Sequence, residues 1–325
     1  MAENTGISWT NSTWNPASGC RRISPGCANC YAAALPPSMR RNAQWGNAPR
    51  VFATEAYWNQ LEIWNRKARK EGKPHLVFSA SVADLFEGEA TTTEGRDGPR
   101  ADYLPMLDRL MATAEKCPWL IFQLLTKRTW NAAVYFQSRQ TPPNVWIGAS
   151  VENQSVTTRI DYLRQIPAKV RFLSCEPLLG PVVADLSGIS WLIAGGESGH
   201  KARPVHPDWV RSLRGQCQNA GIPFFFKQWG EFVPRSHTTL RRDWHAEQIP
   251  DGNGWRVDVA TDSLWGTISP DGQWRSATTP WNGHDDDGHG EAVLYRAGKK
   301  LTGNALDGQV WEQFPEFQSG VSNGQ

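Results

Sequence analysis

The sequence has little that would send it to a membrane or outside the cell. No run of eighteen apolar residues occurs in its 325 residues, so no membrane-spanning helix is expected. The N-terminal MAENTGISW has neither a basic region nor an apolar core, so it does not read as a signal peptide. A cytoplasmic protein is the expectation. There is little excess charge: 34 Lys and Arg against 32 Asp and Glu leave +2, with no global nucleic-acid signature. A glycine-rich dinucleotide fingerprint is missing too, because Gly195-Gly196-Glu197-Ser198-Gly199 does not have the spacing.

Hydrophobic residues at 39% and charged residues at 20% describe a globular protein with ample core. Seventeen tryptophans are expected mostly in the core, with a few free to stack on a planar ligand. Six cysteines in a cytoplasmic chain read as metal ligands or buried thiols rather than as disulfides. Three of them fall within eleven residues, Cys20, Cys27 and Cys30, spaced C-x6-C-x2-C in a Pro/Gly loop. No histidine or fourth cysteine is close by; Cys117 comes 87 residues after Cys30. Structural zinc ordinarily takes four protein ligands. Three thiolates suit an iron–sulfur cluster with one iron open. The alternatives are zinc completed by His206 or Cys175, and a thiol loop that binds nothing. Cys117 and Cys217 fall in or beside helices and read as packing residues.

Apolar runs alternate with helical patterns. Strands are predicted at a short entry within residues 7–15, then at 75–81, 119–125, 145–149, 170–174, 189–194 and 222–226. Helices are predicted at 55–71, 101–116, 130–139, 156–165 and 209–220, and a short one from Tyr31 that Pro36 and Pro37 interrupt. This alternation implies parallel βαβ units. The expected fold class is α/β, a complete or partial (β/α) barrel, with an open doubly wound sheet as the alternative. Residues 1–232 form the expected barrel-like domain. Residues 233–292 read as a β-rich or irregular insert, with strands near 255–259 and 265–268 and turns at Asp251-Gly252 and Asp271-Gly272. Residues 293–317 return to the core, and 318–325 form a flexible tail. The run at 284–289, His-Asp-Asp-Asp-Gly-His, reads as a solvated acidic loop.

Nearly every predicted strand ends in a polar or charged residue: Ser79, Ser81 and Asp84; Thr126, Lys127 and Arg128; Ser150 and Glu152; Cys175 and Glu176; Glu197; Lys227. In barrels and open α/β sheets, ligands bind at these carboxyl ends. Glu176 and Lys227 abut apolar strands, where an unpaired charge is costly. His206, between Pro204 and Pro207, reads as a cap of the following helix.

The motifs Trp9-Thr10, Thr13-Trp14-Asn15-Pro16, Gly19-Cys20, Ser24-Pro25-Gly26-Cys27 and Cys30-Tyr31 resemble the phage and prophage three-Cys-motif family of unknown function. So do Leu173-Ser174-Cys175-Glu176-Pro177-Leu178, Gly195 to Gly199, Phe225-Phe226-Lys227-Gln228-Trp229-Gly230, Gly298-Lys299-Lys300 and Leu306-Asp307-Gly308. The resemblance covers about residues 7–232 and 293–315. That family in turn is similar to radical S-adenosylmethionine (SAM) enzymes, whose common loop has three residues in the first gap where this one has six. The resemblance implies a TIM-barrel-type fold in which Cys20, Cys27 and Cys30 hold a [4Fe–4S] cluster. The open iron would bind SAM, and reduction by an external electron donor would yield a 5′-deoxyadenosyl radical. It implies SAM contacts at Ser79, Ser81, Lys127, Ser150 and Glu152, and substrate-directed roles for Glu176, Glu197 and Lys227. Gly195-Gly196-Glu197 would line the pocket, and Lys299 and Lys300 would meet a phosphate or carboxylate. The substrate is open, a nucleobase or nucleic acid being one choice. Competing expectations are a zinc-containing nucleic-acid-binding protein without catalysis and a structural phage protein.

Overall fold

The structure is a computed structural model. It describes residues 5–89, 98–235, 238–241, 247–250, 255–260, 265–276 and 291–316; for the strands at 238–241, 247–250 and 255–260 only the backbone is described. The predicted turn at Asp251-Gly252, the acidic run 284–289 and the tail 318–325 lie outside the described residues. Among the described residues no helix is long and apolar enough to cross a membrane.

In chain order, β1 (Ser12–Thr13) and β2 (Ala17–Ser18) lead into the cysteine loop. It is followed by α1 (Tyr31–Ala34), stopped before Pro36 and Pro37 as the sequence predicts, and by β3 (Val51–Phe52). Next come α2 (Glu55–Glu71), β4 (His75–Ser79), α3 (Leu104–Lys116), β5 (Leu120–Thr126), α4 (Thr129–Phe136), β6 (Val145–Ser150) and α5 (Thr158–Arg164). The series closes with β7 (Arg171–Cys175), β8 (Trp191–Gly195), α6 (Pro207–Ala220) and β9 (Phe224–Gln228). The helices form where the pattern demands. α2 buries Trp58, Leu61, Trp64 and Ala68 on one stripe and stops at Gly72, whose φ of 65° suits a left-handed cap. α6 starts with Pro207 behind its cap His206 and ends at left-handed Gly221.

Seven strands form one parallel sheet in the order β1-β4-β5-β6-β7-β8-β9. The order follows the sequence without reversal. A doubly wound sheet reverses its strand order at a switch point, so that alternative is excluded. The sheet curls into a half-barrel, and the partial (β/α) barrel is the observed architecture. Alternation along each strand separates two cores. Val145, Ile147 and Ala149 face the helix layer, while Trp146 points to the concave side. The concave side holds Phe78, Ile121, Trp146, Phe172, Trp191, Ile193 and Phe225, with Trp9 laid against them from the entry segment. The Trp9 ring lies 4.8 Å from Phe78 and 6.4 Å from Trp191, edge-on to the latter. Its carbonyl accepts from Gln123 Nε2 (3.3 Å). Phe172 occupies the space over Gly148 that a side chain there would need.

Beyond the barrel, β10 (Phe232–Pro234) is followed by β11 (Thr238–Arg241), β12 (Glu247–Pro250), β13 (Trp255–Ala260), β14 (Trp265–Ile268), β15 (Trp274–Ser276) and β16 (Ala292–Arg296). The hairpin predicted around Asp271-Gly272 is β14–β15. It belongs to a four-stranded sheet, β10-β16-β14-β15, that joins the end of the barrel to the returning segment. The hairpin also packs on the barrel: Trp209 Nε1 donates to the Pro270 carbonyl (2.8 Å), and Ile268 is buried in the main core. After α7 (Lys299–Thr302), β17 (Ala305–Leu306) and β18 (Gln309–Val310), residues 311–313 run antiparallel along β9. There Phe226 N donates to the Trp311 carbonyl (2.8 Å) and Gln313 N to the Phe224 carbonyl (3.2 Å). Sequence reading missed the two-residue pair β2–β3, too short to carry a periodic signal.

Because Phe172 fills the space above Gly148, Gly148→Ala is expected to lower stability by about 1–3 kcal/mol through overpacking. Adding Phe172→Leu should recover part of that loss. Urea unfolding of the two single variants and the double variant measures the coupling.

Candidate functional site

The cysteine loop runs across the carboxyl ends of the parallel strands, and buried ions hold it there on both flanks. On one flank, Glu152 follows β6 with its side chain 1% exposed. Its Oε1 takes Lys127 Nζ at 2.7 Å and the Ser24 hydroxyl at 2.6 Å; its Oε2 takes Arg159 Nη1 at 2.7 Å. Burial would raise this carboxyl, but Lys127 and Arg159, helped by Ser24, outweigh it and hold it below the ordinary range. Gly26 sits directly against the same carboxylate, where a Cβ would collide with it. The loop therefore needs glycine at this point for close approach rather than for backbone conformation.

On the other flank, Glu197 follows β8. Its Oε2 accepts from Asn29 Nδ2 (3.0 Å), Arg203 N (2.8 Å) and Arg203 Nε (2.9 Å), and its Oε1 from Arg203 Nη2 (2.6 Å). The same Nη2 donates to the Pro25 carbonyl (3.1 Å), and Asn29 also donates to the Lys201 carbonyl (2.7 Å). Burial again opposes ionisation, and the bonds from Arg203 and Asn29 reverse it, so Glu197 is lowered. Gly196 and Gly230 let this turn pass against the backbone after β9.

Behind the first cysteine lies a buried charge cluster. Asp84 Oδ2 accepts from Arg128 Nη1 (2.9 Å), Arg50 and Glu87 form a two-pronged pair (2.7 and 2.8 Å), and Arg128 Nη2 donates to the Arg21 carbonyl (2.7 Å). Arg128 Nη1 also lies 3.9 Å from Cys20 Sγ. Burial pushes the Cys20 thiol up to about 12, against the pull of Arg128. Cys20, Cys27 and Cys30 are all free and half-buried. Among the described residues, no three His, Cys, Asp or Glu side chains meet closely enough to hold one metal ion.

The remaining expected residues divide. Lys227 and Glu176 form an ion pair of 2.9 Å at the ends of β9 and β7, with side chains 23% and 12% exposed. Ser174 Oγ donates to Glu176 Oε2 (3.3 Å). Glu176 lies against Gly195, which has no side chain to displace it. Ser81 donates its N–H and hydroxyl to Asn15 Oδ1 (2.6 and 3.2 Å), and its carbonyl accepts from the Tyr31 hydroxyl (2.8 Å). Ser150 and Ser79 are buried; the Ser79 hydroxyl has no hydrogen-bond partner among the described residues. Lys299 and Lys300 stand exposed after Gly298, whose N–H donates to the Glu231 carbonyl (3.0 Å). Asp307 is engaged by Arg211 and Arg214 of α6.

The two residues named for the zinc alternative do not face the loop, and His206 is the helix cap that its sequence position suggests. Cys175 shares the side of β7 that Leu173 presents to the helices and packs with Cys217 in the main core. Its place at a strand end suggested the site; strand alternation turns it away. His206 is buried and caps α6, its Nδ1 accepting from Asp208 N (3.1 Å). Sequence reading missed the anchors Ser24, Asn29, Arg159 and Arg203. Each is an ordinary polar residue whose partner is only set by the fold.

A seven-strand partial (β/α) barrel with a three-thiol loop pinned over its strand ends defines the class. The family model described as "Protein of unknown function (DUF5131)" matches residues 4–315, and the chain belongs to that family. No curated protein and no solved structure matches.

Glu152→Gln leaves Lys127 and Arg159 facing a neutral amide in a buried place. A loss of about 3–5 kcal/mol is expected at pH 7. The folded-state pKa of Glu152 is depressed, so its contribution is full above the ordinary glutamate value of about 4.3 and fades as pH falls through the lower folded value. The gap between parent and variant in urea unfolding should therefore narrow from pH 7 to pH 3. A gap of equal size at both would count against the ion-pair account.

Proposed function

We propose that this protein is an iron–sulfur, SAM-dependent radical enzyme, with Cys20, Cys27 and Cys30 holding a [4Fe–4S] cluster. The observation that carries the reading is the placement of the cysteine loop. The loop of three free thiols is tied across the mouth of a partial (β/α) barrel, where such folds bind ligands, by two buried carboxylates that are fully engaged. The donor set suits the group. A tetrahedral zinc needs four donors meeting at one point, and the two candidates for a fourth are engaged elsewhere, Cys175 in the helix-side core and His206 at the head of α6. When bound, a cluster with one open iron supplies the one-electron cleavage of SAM, using an external reductant, to a radical that abstracts hydrogen.

The chain's own groups then take separate parts. Glu152 and Glu197 act as positioning residues: every carboxylate oxygen they have is already taken by Lys127, Arg159, Ser24, Arg203 or Asn29. Arg128 fixes the Arg21 carbonyl beside Cys20 and places a positive charge near its sulfur. That charge favours the thiolate a metal requires, against burial, which disfavours it. Lys227 and Glu176 are the polar pair that retains access to the mouth, and they suit binding or proton transfer at a carbonyl, amine or carboxylate of the substrate. Ser81 and Ser150 contribute polar atoms at neighbouring strand ends. The aromatic floor of Trp9, Phe172 and Trp191 excludes water from below.

Anaerobic reconstitution with iron and sulfide counts tests the reading. Cys20→Ala, Cys27→Ala and Cys30→Ala are each expected to abolish iron retention, and Cys117→Ala to leave it intact. Lys227→Met and Glu176→Gln should retain iron and lose substrate-dependent turnover. Colourless protein carrying one zinc would replace this reading with the zinc-binding one. Equal iron loss in Cys117→Ala would overturn the ligand set.

A further inference from the structure

The near-zero net charge conceals a sharp segregation. From Asn4 to Thr54 the chain has no acidic residue and five arginines, Arg21, Arg22, Arg40, Arg41 and Arg50. Arg50 is buried against Glu87. The other four have no carboxylate partner among the described residues. Arg21 is held by the Glu89 carbonyl (3.4 Å), and Arg41 by the Asn15 carbonyl (2.7 Å) and the Ser18 hydroxyl (3.0 Å). Arg40 is held by the carbonyls of Leu35 and Ala43. Backbone carbonyls orient a guanidinium without neutralising it.

These arginines flank the cysteine loop closely. Gly46 N donates to the Cys20 carbonyl (3.0 Å), which seats the 40–46 turn beside the first cysteine. On the opposite side of the loop, Asn29 bonds to the Lys201 carbonyl, and Arg296 donates to the His200 carbonyl (2.7 Å). Gly199 N donates to Glu231 (2.9 Å), whose carbonyl holds Gly298 just ahead of Lys299 and Lys300. Lys201, Arg296, Lys299 and Lys300 also form no ion pair among the described residues, and Arg22, Lys201, Lys299 and Lys300 are exposed. Of the carboxylates between the two sides, Glu152, Glu197 and Glu176 are consumed in ion pairs, and Glu231 is the one held instead by a backbone amide, that of Gly199. Two aromatic rings lie within the basic zone. Tyr31, next to Cys30, is 52% exposed and pinned through its hydroxyl to the Ser81 carbonyl. Trp45 lies under Arg40, 5.3 Å from its guanidinium carbon.

We infer that the face around the cysteine loop binds single-stranded nucleic acid. The phosphates would run between the 21–22 and 40–41 arginines and the Lys201, Lys299 and Lys300 side, and a base would stack on Tyr31. A basic groove with a fixed, exposed ring is the arrangement that recognises a single strand, where every base offers a face. This inference rests on surface charge and goes beyond the cluster reading; it holds or fails whatever the thiols carry.

Fluorescence anisotropy of labelled 20-nucleotide oligo-dT and oligo-U with the full chain tests it, with iron content recorded separately. Binding is expected for one or both, weakening with salt at a log–log slope of about 0.7 for each phosphate contact. Arg22→Glu combined with Lys201→Glu should weaken binding at least about tenfold. Lys70→Glu combined with Lys73→Glu, in and just after the last turn of α2 at the opposite end of the strands, should change it less than about twofold. Tyr31→Leu should weaken it about tenfold while leaving the salt slope unaltered. Equal losses in the two charge-reversed variants, or no binding of either oligonucleotide at 50 mM salt, would overturn the inference. So would binding to anionic lipid vesicles in place of the oligonucleotides.

Discussion

The arrangement at the mouth depends on one constraint: a charge taken out of water must be paired. Glu152 and Glu197 are buried at the ends of β6 and β8, paired by Lys127 and Arg159 and by Arg203, and each takes a further bond from the cysteine loop, through Ser24 and Asn29 respectively. The relation works in both directions. The loop has almost no regular structure of its own, a single 3₁₀ turn at Pro25–Cys27, and little apolar surface to bury. It is ordered because the barrel offers two ionic sockets, and the loop adds a bond to each. Arg128, linking Asp84 to the Arg21 carbonyl, supplies a third tie near the first thiol.

The barrel supplies the rigidity those ties need. Its concave side is filled with rings rather than left as a channel, and Trp9, Phe172 and Trp191 meet at its centre. Strand ends are therefore fixed relative to one another, and side chains such as Glu176 and Lys227, from strands two apart in the sheet, can hold a 2.9 Å pairing.

Much of the fold was legible because buried parallel strands are nearly continuous apolar runs, as in Leu120–Thr126, and because helix ends carry their own signals at Gly72 and Gly221. The polar strand ends located the site for the same reason. What was not legible was the direction of side chains and the identity of partners. Cys175 sits at a strand end, but its parity with Leu173 turns it toward the helices; applying the strand period would have removed it from consideration. Glu152 and Glu197 were read as ligand-facing because the sequence shows a carboxylate but not the Arg159 or Arg203 that will consume it. The region after Gly230 read as an insert because its composition changes. Yet Ile268 enters the main core and the β14–β15 hairpin leans on Trp209, since a change of composition marks a change of element rather than an independent unit.

The strip at residues 311–313 lies along the outer edge of β9 and receives its amide bonds. Until that strip arrives, β9 presents a bare edge whose first three residues, Phe224 to Phe226, are apolar. Synthesis runs from the cysteine loop to this strip, so the loop leaves the ribosome some 280 residues before the edge that completes the sheet. The edge of β9 thus stays open while the 82 residues between Gln228 and Trp311 are made. The segment that covers the edge comes from far along the chain, after the β14–β15 hairpin and α7, so the sheet is protected late.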